Sequence, residues 1–244
     1  MIPTAAGKLN AILYLPVERQ RDYAVIFCHG FRGSKEGGGR ASSLAARVAE
    51  NGFVALLFDF APLSLLSEQV EELRAVVSYS RREVSDRIVL FGRSMGGSAA
   101  LAVAAADRLI GGLCLWSAPH NLHETFRLSL GEEAYSRLLG GEPVSIADEF
   151  GHVCMTPDFL GDFDRFDLLA CARLVSGRPM LVVHGENDEI VPLRQAVEIF
   201  DQAGEPKKMT VVPGADHRFL SGHEQASAAL LAWLEAGFSA PRDW

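Results

Sequence analysis

Apolar residues along this chain occur in short continuous runs, and stretches of helical periodicity separate one run from the next. The apolar runs predict strands over residues 9–15, 23–30, 53–60, 87–92, 109–117, 179–185 and 207–214. The patterns between them predict helices over residues 40–51, 65–82, 94–108, 192–202 and 221–237. The first strand alternates in polarity like an antiparallel strand, whereas apolar runs separated by helices are typical of a parallel sheet covered on both faces. The pattern predicts an α/β fold with a mostly parallel, doubly wound sheet.

One segment, residues 118–177, departs from this alternation. It contains the polar helical pieces GEEAYSRLLGGEP and FDRFDLLACARLV around a loop rich in Asp, Phe and Gly. A long excursion from a doubly wound sheet is commonly a lid or small cap over the site, and the alternative is a peripheral insertion that only stabilises the domain. We expect a lid or cap, inserted in a single domain that spans residues 1–244.

Composition favours one compact domain and argues against several classes of protein. The chain has 244 residues, 48% of them hydrophobic, and a net charge of −8 without a cluster of Lys and Arg, so we expect no nucleic-acid partner. No stretch reaches the roughly 18 apolar residues of a membrane span, and the N-terminus lacks a signal-peptide pattern. The cysteines show neither CxxC pairing nor metal-ligand spacing: Cys28, Cys114, Cys154 and Cys171. We expect a reduced, cytoplasmic protein without a metal or other cofactor, and the sequence leaves a homo-oligomer open.

The segment Gly92-Arg93-Ser94-Met95-Gly96 lies where a predicted strand ends and a helix of small residues begins. It fits the pattern G-x-S-x-G, in which a sharp turn from strand to helix lifts a serine hydroxyl above the sheet. Glycines are needed on either side because side chains there would clash with the neighbouring strand and helix. The alternative is an ordinary serine N-cap, which is common at such junctions. Ser94 is therefore a candidate nucleophile.

A serine hydroxyl is a poor nucleophile without a base, and the base needs an acid that orients it. His217 is the candidate base and Asp188 the candidate acid, since each lies in a loop just after a late predicted strand. Open α/β sheets build their sites at this edge, the carboxyl ends of the parallel strands. Two rival acids are less favourable, because Asp216 is too close to His217 to orient its ring readily and Glu186 lies at the start of its turn. Taken singly, Asp188 could be an aspartate that caps a turn, and His217 could be an ordinary loop histidine.

Catalysis at a carbonyl group also needs hydrogen-bond donors where negative charge develops. The backbone N–H of Met95 is one expected donor, and the N–H of Phe31, in the loop HGFRG after a predicted strand, is the other. His29 is expected to shape this loop rather than to act as a base. Three cationic side chains near the loop are either solvated or face an anionic substrate group: Arg32, Lys35 and Arg40.

Four segments together resemble the α/β-hydrolase superfamily: HGFRGSKE, GRSMGG, HGENDEIVP and GADHRF. The likeness is to its small bacterial branches, namely cinnamoyl (feruloyl) esterases and proteins like dienelactone hydrolases or serine aminopeptidases, and it extends over residues 28–219. It implies the α/β-hydrolase fold. By position it also implies a nucleophile, an acid, a base and two oxyanion donors, which would be Ser94, Asp188, His217, Phe31 and Met95.

Two departures from the superfamily leave the acyl group open. Members often follow the strand ending in Asp59 with a loop of the form R-G-x-G-x-S, whereas this chain has the shortened, apolar FDFAPLSLL. The insertion 118–177 contains no motif of the superfamily. Its phenylalanines either form its own small core or suit an apolar or aromatic acyl group: Phe126, Phe150, Phe159, Phe163 and Phe166.

The resemblance implies a serine hydrolase that cleaves carboxylic esters of small or aromatic acyl groups through an acyl-enzyme. A thioesterase or acyltransferase would use the same residues. A serine peptidase would usually need a larger cap or a site for a charged peptide end, and a non-catalytic binding protein would typically lack one of the three residues. We therefore expect a small-molecule ester as the partner, and no membrane.

Overall fold

The computed structural model describes residues 1–5, 7–18, 21–148 and 151–238. Its strands, in chain order, are β1 (Ile2–Thr4), β2 (Gly7–Leu9), β3 (Ala11–Tyr14), β4 (Tyr23–Cys28), β5 (Val54–Phe58), β6 (Arg87–Arg93), β7 (Ile110–Trp116), β8 (Val144–Asp148), β9 (Gly151–Met155), β10 (Met180–Gly185) and β11 (Lys207–Val212). Its α-helices are α1 (Arg40–Glu50), α2 (Leu66–Glu83), α3 (Met95–Ala106), α4 (Leu122–Leu130), α5 (Glu132–Leu139), α6 (Asp158–Gly161), α7 (Leu168–Leu174), α8 (Leu193–Gln202) and α9 (His223–Gly237). Short 3-10 helices cover Gly37–Gly39 and Asp162–Arg165.

The central sheet has seven strands in the spatial order β11-β10-β7-β6-β4-β5-β3. Neighbouring strands are parallel, except that β3 runs antiparallel to β5 at one edge. The chain passes from β4 to β5 on one side and then returns to β6 on the other side of β4. The strand order therefore reverses between β4 and β6, and open α/β sheets bind ligands outside the carboxyl ends of the strands at such a reversal.

Helices cover both faces of this sheet, because alternate residues of each strand point to opposite faces and both sets are apolar. Val25, Leu57 and Phe91 pack on one face with α1 and α9. Ile26 and Leu90 pack on the other face with α2, α3 and α8. Helix α3 is rich in Ala and Gly and nearly all of its residues are buried, so it approaches the sheet closely. No helix in the described part of the chain is long and apolar enough to cross a membrane.

The segment 118–177 consists of α4, α5, the antiparallel hairpin β8–β9, α6 and α7. Helix α7 packs against α3 and α8, two of the helices that cover the sheet. The hairpin instead reaches the loop after β4, where the Arg32 guanidinium donates to the Gly151 carbonyl oxygen at 2.8 Å. Phe126, Phe159 and Phe163 are only 3–4% exposed and their rings contact one another. They belong to the hydrophobic core that the insertion shares with the helices on this face of the sheet. Phe166 is half-buried, and Phe150 lies outside the described residues.

The predicted α/β fold class is confirmed, and each predicted strand and helix lies within two residues of its observed bounds. The predicted strand 9–15 is divided at Asn10, because Leu9 pairs with β1 whereas Ala11 begins the pairing with β5. The sequence did not predict the hairpins β1–β2 and β8–β9. Their strands have three to five residues of mixed polarity, which is too short a pattern to distinguish a strand from a loop.

Gln195 connects the insertion to the main domain. Its side chain is completely buried in α8, and its amide oxygen accepts hydrogen bonds from the backbone N–H groups of His120 at 3.1 Å and Asn121 at 2.9 Å. Its amide nitrogen donates to the Glu124 carboxylate at 2.8 Å. The start of α4 is therefore held by one buried side chain, while Asn121 caps the same helix through the N–H of Glu124.

We predict that Gln195→Leu lowers the free energy of unfolding by about 1–3 kcal/mol, because the N–H groups of His120 and Asn121 lose the buried acceptor that holds the start of α4. Urea denaturation measures the change. The matched control is Gln202→Leu, at an exposed position of the same helix where the amide oxygen accepts a solvent-exposed bond from Arg173, and it should cost less than about 1 kcal/mol. Equal losses in the two variants would contradict the anchoring role.

Candidate active site

Ser94 occupies a strained turn between β6 and α3. Its backbone has φ 50° and ψ −131°, a combination that residues with a side chain rarely adopt. It stands at the N-cap position of α3, yet its side chain makes no capping hydrogen bond. The hydroxyl is therefore not used to cap the helix, which was the structural alternative for this serine.

Two glycines let this turn form. A Cβ on Gly92 would lie 2.5 Å from the Gly97 Cα atom, and a Cβ on Gly96 would lie 2.1 Å from the His29 carbonyl oxygen and 2.7 Å from that of Cys28. These contacts are with backbone atoms, which cannot rotate away. The first turn of α3 therefore packs directly against the end of β4, whose last residue, Cys28, is paired with Gly92 in the sheet.

The side chains of Ser94, His217 and Asp188 form one hydrogen-bonded chain. His217 Nε2 lies 3.1 Å from Ser94 Oγ, and its Nδ1 lies 2.9 and 3.0 Å from the two carboxylate oxygens of Asp188. Because Nδ1 faces a carboxylate it carries the ring proton, which leaves Nε2 as an acceptor for the serine hydroxyl. The structure thus brings together the three residues that the sequence singled out from three separate loops.

The loops after β10 and β11 touch each other, and this contact brings Asp188 to His217. Gly185, the last residue of β10, has no room for a Cβ because the Ala215 carbonyl oxygen would lie 2.4 Å away. The same carbonyl oxygen accepts a hydrogen bond from the Asn187 N–H at 2.9 Å. Two loops that lie 29 residues apart along the chain are therefore fixed relative to each other by backbone contacts.

Asp188 is buried and remains an acceptor. Burial alone would raise the pKa of its carboxyl group, but the hydrogen bond and charge of His217, the N–H of Val191 at 2.8 Å and the neighbouring His184 outweigh it and lower the pKa. The carboxylate consequently stays ionised at neutral pH, as a group that orients an imidazole ring must.

The loop after β4 lies against Ser94. A Cβ on Gly30 would be 2.9 Å from the Ser94 Cβ and 3.6 Å from its Oγ, so only a glycine allows this approach. Phe31 follows directly, and Met95 begins α3, where the first N–H groups of a helix have no acceptor within the helix. The N–H groups expected to act as oxyanion donors thus belong to residues that flank the serine on two sides.

His29 shapes this loop. Its Nδ1 lies 2.8 Å from the Gly30 carbonyl oxygen, and its Nε2 accepts the N–H of Phe60 at 3.0 Å. Burial lowers the pKa of His29, so the neutral ring that these two bonds require is favoured at pH 7. The imidazole joins the loop after β4 to the loop after β5, and among the described residues it makes no hydrogen bond with His217 or Ser94.

The rival acids have other partners. The Glu186 carboxylate accepts the N–H of Gly214, and the Asp216 carboxylate accepts the N–H of Leu220, each at 2.9 Å. The cationic side chains near the loop are also engaged by the protein. Lys35 pairs with Asp59 at 2.7 Å, Arg32 donates to the Gly151 carbonyl oxygen, and Arg40 donates to carbonyl oxygens of residues 218 and 219.

Two side chains that position the site were not predicted from the sequence. Arg93 is the variable residue of G-x-S-x-G, and its guanidinium donates to the His217 carbonyl oxygen at 3.1 Å, which ties the serine turn to the histidine loop. His184 lies beneath Asp188, with Nε2 2.8 Å from the Val191 carbonyl oxygen and 3.3 Å from Asp188. The motif allows any residue at the position of Arg93, so it gave no signal for this side chain. His184 lies within a predicted apolar strand, where a histidine gives no signal of a functional role.

Backbone strain is concentrated at this edge of the sheet. All five non-glycine residues with positive φ in the described ranges follow the carboxyl ends of strands β4, β5, β6, β7 and β11: Arg32, Leu63, Ser94, Ser117 and Phe219. Such conformations cost about 1–3 kcal/mol each and persist only where the surroundings enforce them. Together with the convergence of Ser94, His217 and Asp188, they make this edge the candidate active site.

The sheet is mostly parallel, its strand order reverses between β4 and β6, and Ser94 occupies a strained turn directly after β6. This arrangement is that of the α/β-hydrolase class. The model of the alpha/beta hydrolase family matches residues 25–233, and the chain belongs to that family. This confirms the superfamily that the motifs indicated.

Solved structures share this fold along nearly the whole chain. Est1E from Butyrivibrio proteoclasticus superposes with a TM-score of 0.81 at 23% identity and 97% coverage of both chains. The esterase domain of a Rhodothermus marinus protein superposes with a TM-score of 0.75 at 25% identity and 96% coverage of both chains. The quorum-quenching protein AidA of Acinetobacter baumannii is 30% identical over 113 residues, which are 41% of this chain and 36% of that protein. The chain matches only about a third to a half of the length of its curated relatives.

We predict that Gly96→Ala lowers the free energy of unfolding by about 2–3 kcal/mol, because the new methyl group collides with backbone carbonyl groups that cannot move aside. Urea denaturation measures the loss. Gly237→Ala is the matched control, since that helical glycine has no neighbour within 4 Å, and it should be neutral or stabilising by up to about 1 kcal/mol. A neutral Gly96→Ala would contradict the close approach.

The lowered pKa of Asp188 predicts a stability that depends on pH. A carboxyl group whose pKa is lower in the folded than in the unfolded chain stabilises the fold fully above its ordinary pKa of 3.8, and this contribution is lost as pH falls through the lower, folded value. The Tm advantage of the wild type over Asp188→Asn should therefore be greatest near pH 7 and disappear in acid. Asp201→Asn, at an exposed site on α8, should show no such trend, and a constant difference for Asp188→Asn would refute the linkage.

Proposed function

We propose that this protein is a serine hydrolase that cleaves carboxylic esters through an acyl-enzyme, with Ser94 as nucleophile, His217 as base and Asp188 as the acid that orients it. The observation that carries the proposal is the position of His217, whose ring lies within hydrogen-bond distance of both Ser94 Oγ and Asp188. Membership of the alpha/beta hydrolase family supports a hydrolytic reaction.

In the proposed reaction, Ser94 Oγ attacks the ester carbonyl carbon while its proton passes to His217 Nε2. Asp188, ionised and bonded to Nδ1, stabilises the imidazolium ring. The imidazolium then gives its proton to the alkoxide oxygen that leaves, and an acyl-serine ester remains. In the second half a water molecule gives a proton to His217 and attacks this ester, and the proton returns to Ser94 Oγ as the acid departs.

The tetrahedral intermediates carry a negative oxygen, and the backbone N–H groups of Phe31 and Met95 are the proposed donors to it. Met95 lies at the N-terminus of α3, where the aligned peptide dipoles also favour negative charge. The Phe31 ring packs on the rings of Phe126 and Phe159, with centroids 5.1 and 5.3 Å away. The insertion 118–177 therefore supports the loop that would supply this donor, and we propose that it also forms a lid over the site.

The proposed substrates are esters of small or aromatic acyl groups. In support, a structure of the similar protein Est1E holds ferulic acid, and the half-buried Phe31, which follows Gly30, joins its ring to the aromatic cluster of Phe126 and Phe159. A thioester or a peptide bond would be cleaved through the same proposed steps. A panel of short-chain, long-chain and aromatic esters, with acyl-CoA and peptide substrates included, distinguishes the classes by kcat/KM.

We predict that a fluorophosphonate probe forms an adduct on Ser94, detected by mass spectrometry, and that Ser94→Ala loses both the adduct and ester hydrolysis. His217→Ala should reduce kcat by roughly a thousandfold or more, because proton transfer and the activation of the serine are both lost. Retained far-UV and near-UV circular dichroism excludes unfolding as the cause. An adduct elsewhere, or full activity in Ser94→Ala, would overturn the proposal.

The acid is identified with variants of neighbouring carboxylates. Asp188→Asn should slow turnover by roughly a thousandfold, since an amide cannot hold His217 in the required protonation state. Glu186→Gln and Asp216→Asn change carboxylates of the same two loops that bind only backbone N–H groups, and they should remain within a few fold of the wild type. If Glu186→Gln or Asp216→Asn is the crippled variant, the assignment of Asp188 fails.

A further inference from the structure

Two arginine side chains, those of Arg93 and Arg40, bind the loop that carries His217 through its backbone. The Arg93 guanidinium donates to the His217 carbonyl oxygen at 3.1 Å. Arg40 Nη1 donates to the carbonyl oxygens of the next two residues, 218 and 219, at 3.1 and 3.2 Å. Neither arginine makes a hydrogen bond or ion pair with a carboxylate of the described residues. Three consecutive carbonyl groups of this loop therefore accept hydrogen bonds from guanidinium groups.

The two arginines hold the loop from different parts of the fold. Arg93 is the last residue of β6 and directly precedes Ser94, whereas Arg40 is the first residue of α1. The loop itself is strained, since Phe219 has φ 52°. A non-glycine residue keeps such a conformation only where its surroundings enforce it. The serine turn and α1 are thus two fixed points from which the histidine loop is held.

The placement of Arg93 has a cost for folding. Burial and the nearby charges of Arg40 and Arg218 lower the pKa of Arg93, which means that its surroundings disfavour the positive charge. The charges of Asp188 and Asp216 oppose this effect without cancelling it. A guanidinium nonetheless stays protonated in proteins, and a charged donor makes a hydrogen bond roughly twice as strong as a neutral one. The charge that burial disfavours therefore strengthens the bond to the carbonyl group of the loop.

Both peptide groups that flank His217 are held by side chains. Its N–H donates to a Glu189 carboxylate oxygen at 3.2 Å, and its carbonyl group accepts from Arg93. In the proposed reaction Nε2 must first take the proton of Ser94 Oγ, 3.1 Å away, and then deliver it to the leaving oxygen. Asp188 fixes the Nδ1 side of the ring, but the position of the ring relative to Ser94 also depends on the backbone that carries it. A displacement of about 1 Å can slow such a reaction by roughly a hundredfold.

We propose that Arg93 and Arg40 are positioning residues, which hold residues 217–219 by their carbonyl groups and so keep His217 Nε2 within reach of Ser94 Oγ. The inference rests on the proposed ester hydrolysis and adds to it two residues that act through His217 rather than on the substrate. Arg93 binds the carbonyl group of the base itself, and Arg40 binds the two that follow. Loss of either side chain should therefore slow the chemical step without changing the binding of substrate.

The test measures kcat and KM for ester hydrolysis in variants that lack the donors of each side chain. Arg93→Met should lower kcat by roughly ten- to hundredfold and Arg40→Met by roughly three- to tenfold, with KM within about twofold of the wild-type value. Arg93→Lys, whose ammonium can donate to the same carbonyl group, should recover part of the loss. A kcat within about twofold of the wild-type value in either methionine variant overturns the proposal, as does a change in KM alone.

Arg178 provides the matched control. It lies just before β10, at the opposite edge of the sheet, and its guanidinium also donates to backbone carbonyl oxygens, four in all. Arg178→Met should lower Tm, as Arg93→Met should, yet leave kcat within about twofold of the wild-type value. Equal losses of kcat in the two variants would mean a role in stability alone and would reject the proposal.

A measurement without turnover separates this inference from the proposed function. The proton between His217 Nδ1 and Asp188 should give a far-downfield NMR resonance, because its hydrogen bond is to a carboxylate. Arg93→Met and Arg40→Met should shift or broaden this resonance, and Arg178→Met should leave it in place. With that result the positioning role stands even if the wild type hydrolyses no ester, in which case only the proposed function fails. Ester hydrolysis with a resonance unmoved in the variants of Arg93 and Arg40 would retain the proposed function and reject the positioning role.

Discussion

The contact between the first turn of α3 and the end of β4 is the constraint on which the candidate active site depends. Gly96 has no side chain, so the helix begins against the carbonyl groups of Cys28 and His29, and Gly30 approaches the Ser94 side chain in the same way. The separation of the serine from the loop after β4 is thereby fixed by backbone atoms. A serine held by backbone contacts at a strained turn keeps its hydroxyl available for the bond to His217, because helix capping does not use it.

The parts of the molecule that could be predicted from the sequence are those with a local pattern of residues. Buried strands and helices have periodic patterns, so the sheet was predicted to within two residues at each boundary. Ser94, Asp188 and His217 could be singled out because glycine spacing and strand-to-loop junctions are local signals. Their convergence, however, depends on the contact between Gly185 and Ala215, which no local pattern reports.

Other features could not be predicted because they arise from packing between distant segments. Arg93 occupies a position that the motif leaves free, and its role follows only from where the carbonyl group of His217 lies. The hairpin β8–β9 has strands too short to show a period. A cavity beside Gly30 lies between five segments of the chain. Of these segments, the loop after β5 differs in sequence from the superfamily pattern, but that difference alone does not predict a cavity.

The placement of strained residues has a consequence for how such a protein changes over evolutionary time. Non-glycine residues with positive φ occur, among the residues described, after the carboxyl ends of five strands. The apolar strand interiors and the helices packed on them supply most of the burial. The residues that stabilise the fold and those of the candidate active site therefore occupy different parts of the same strand-and-loop units. Loops at the strained edge can be exchanged for others with new specificity while the sheet retains the stability to tolerate the change.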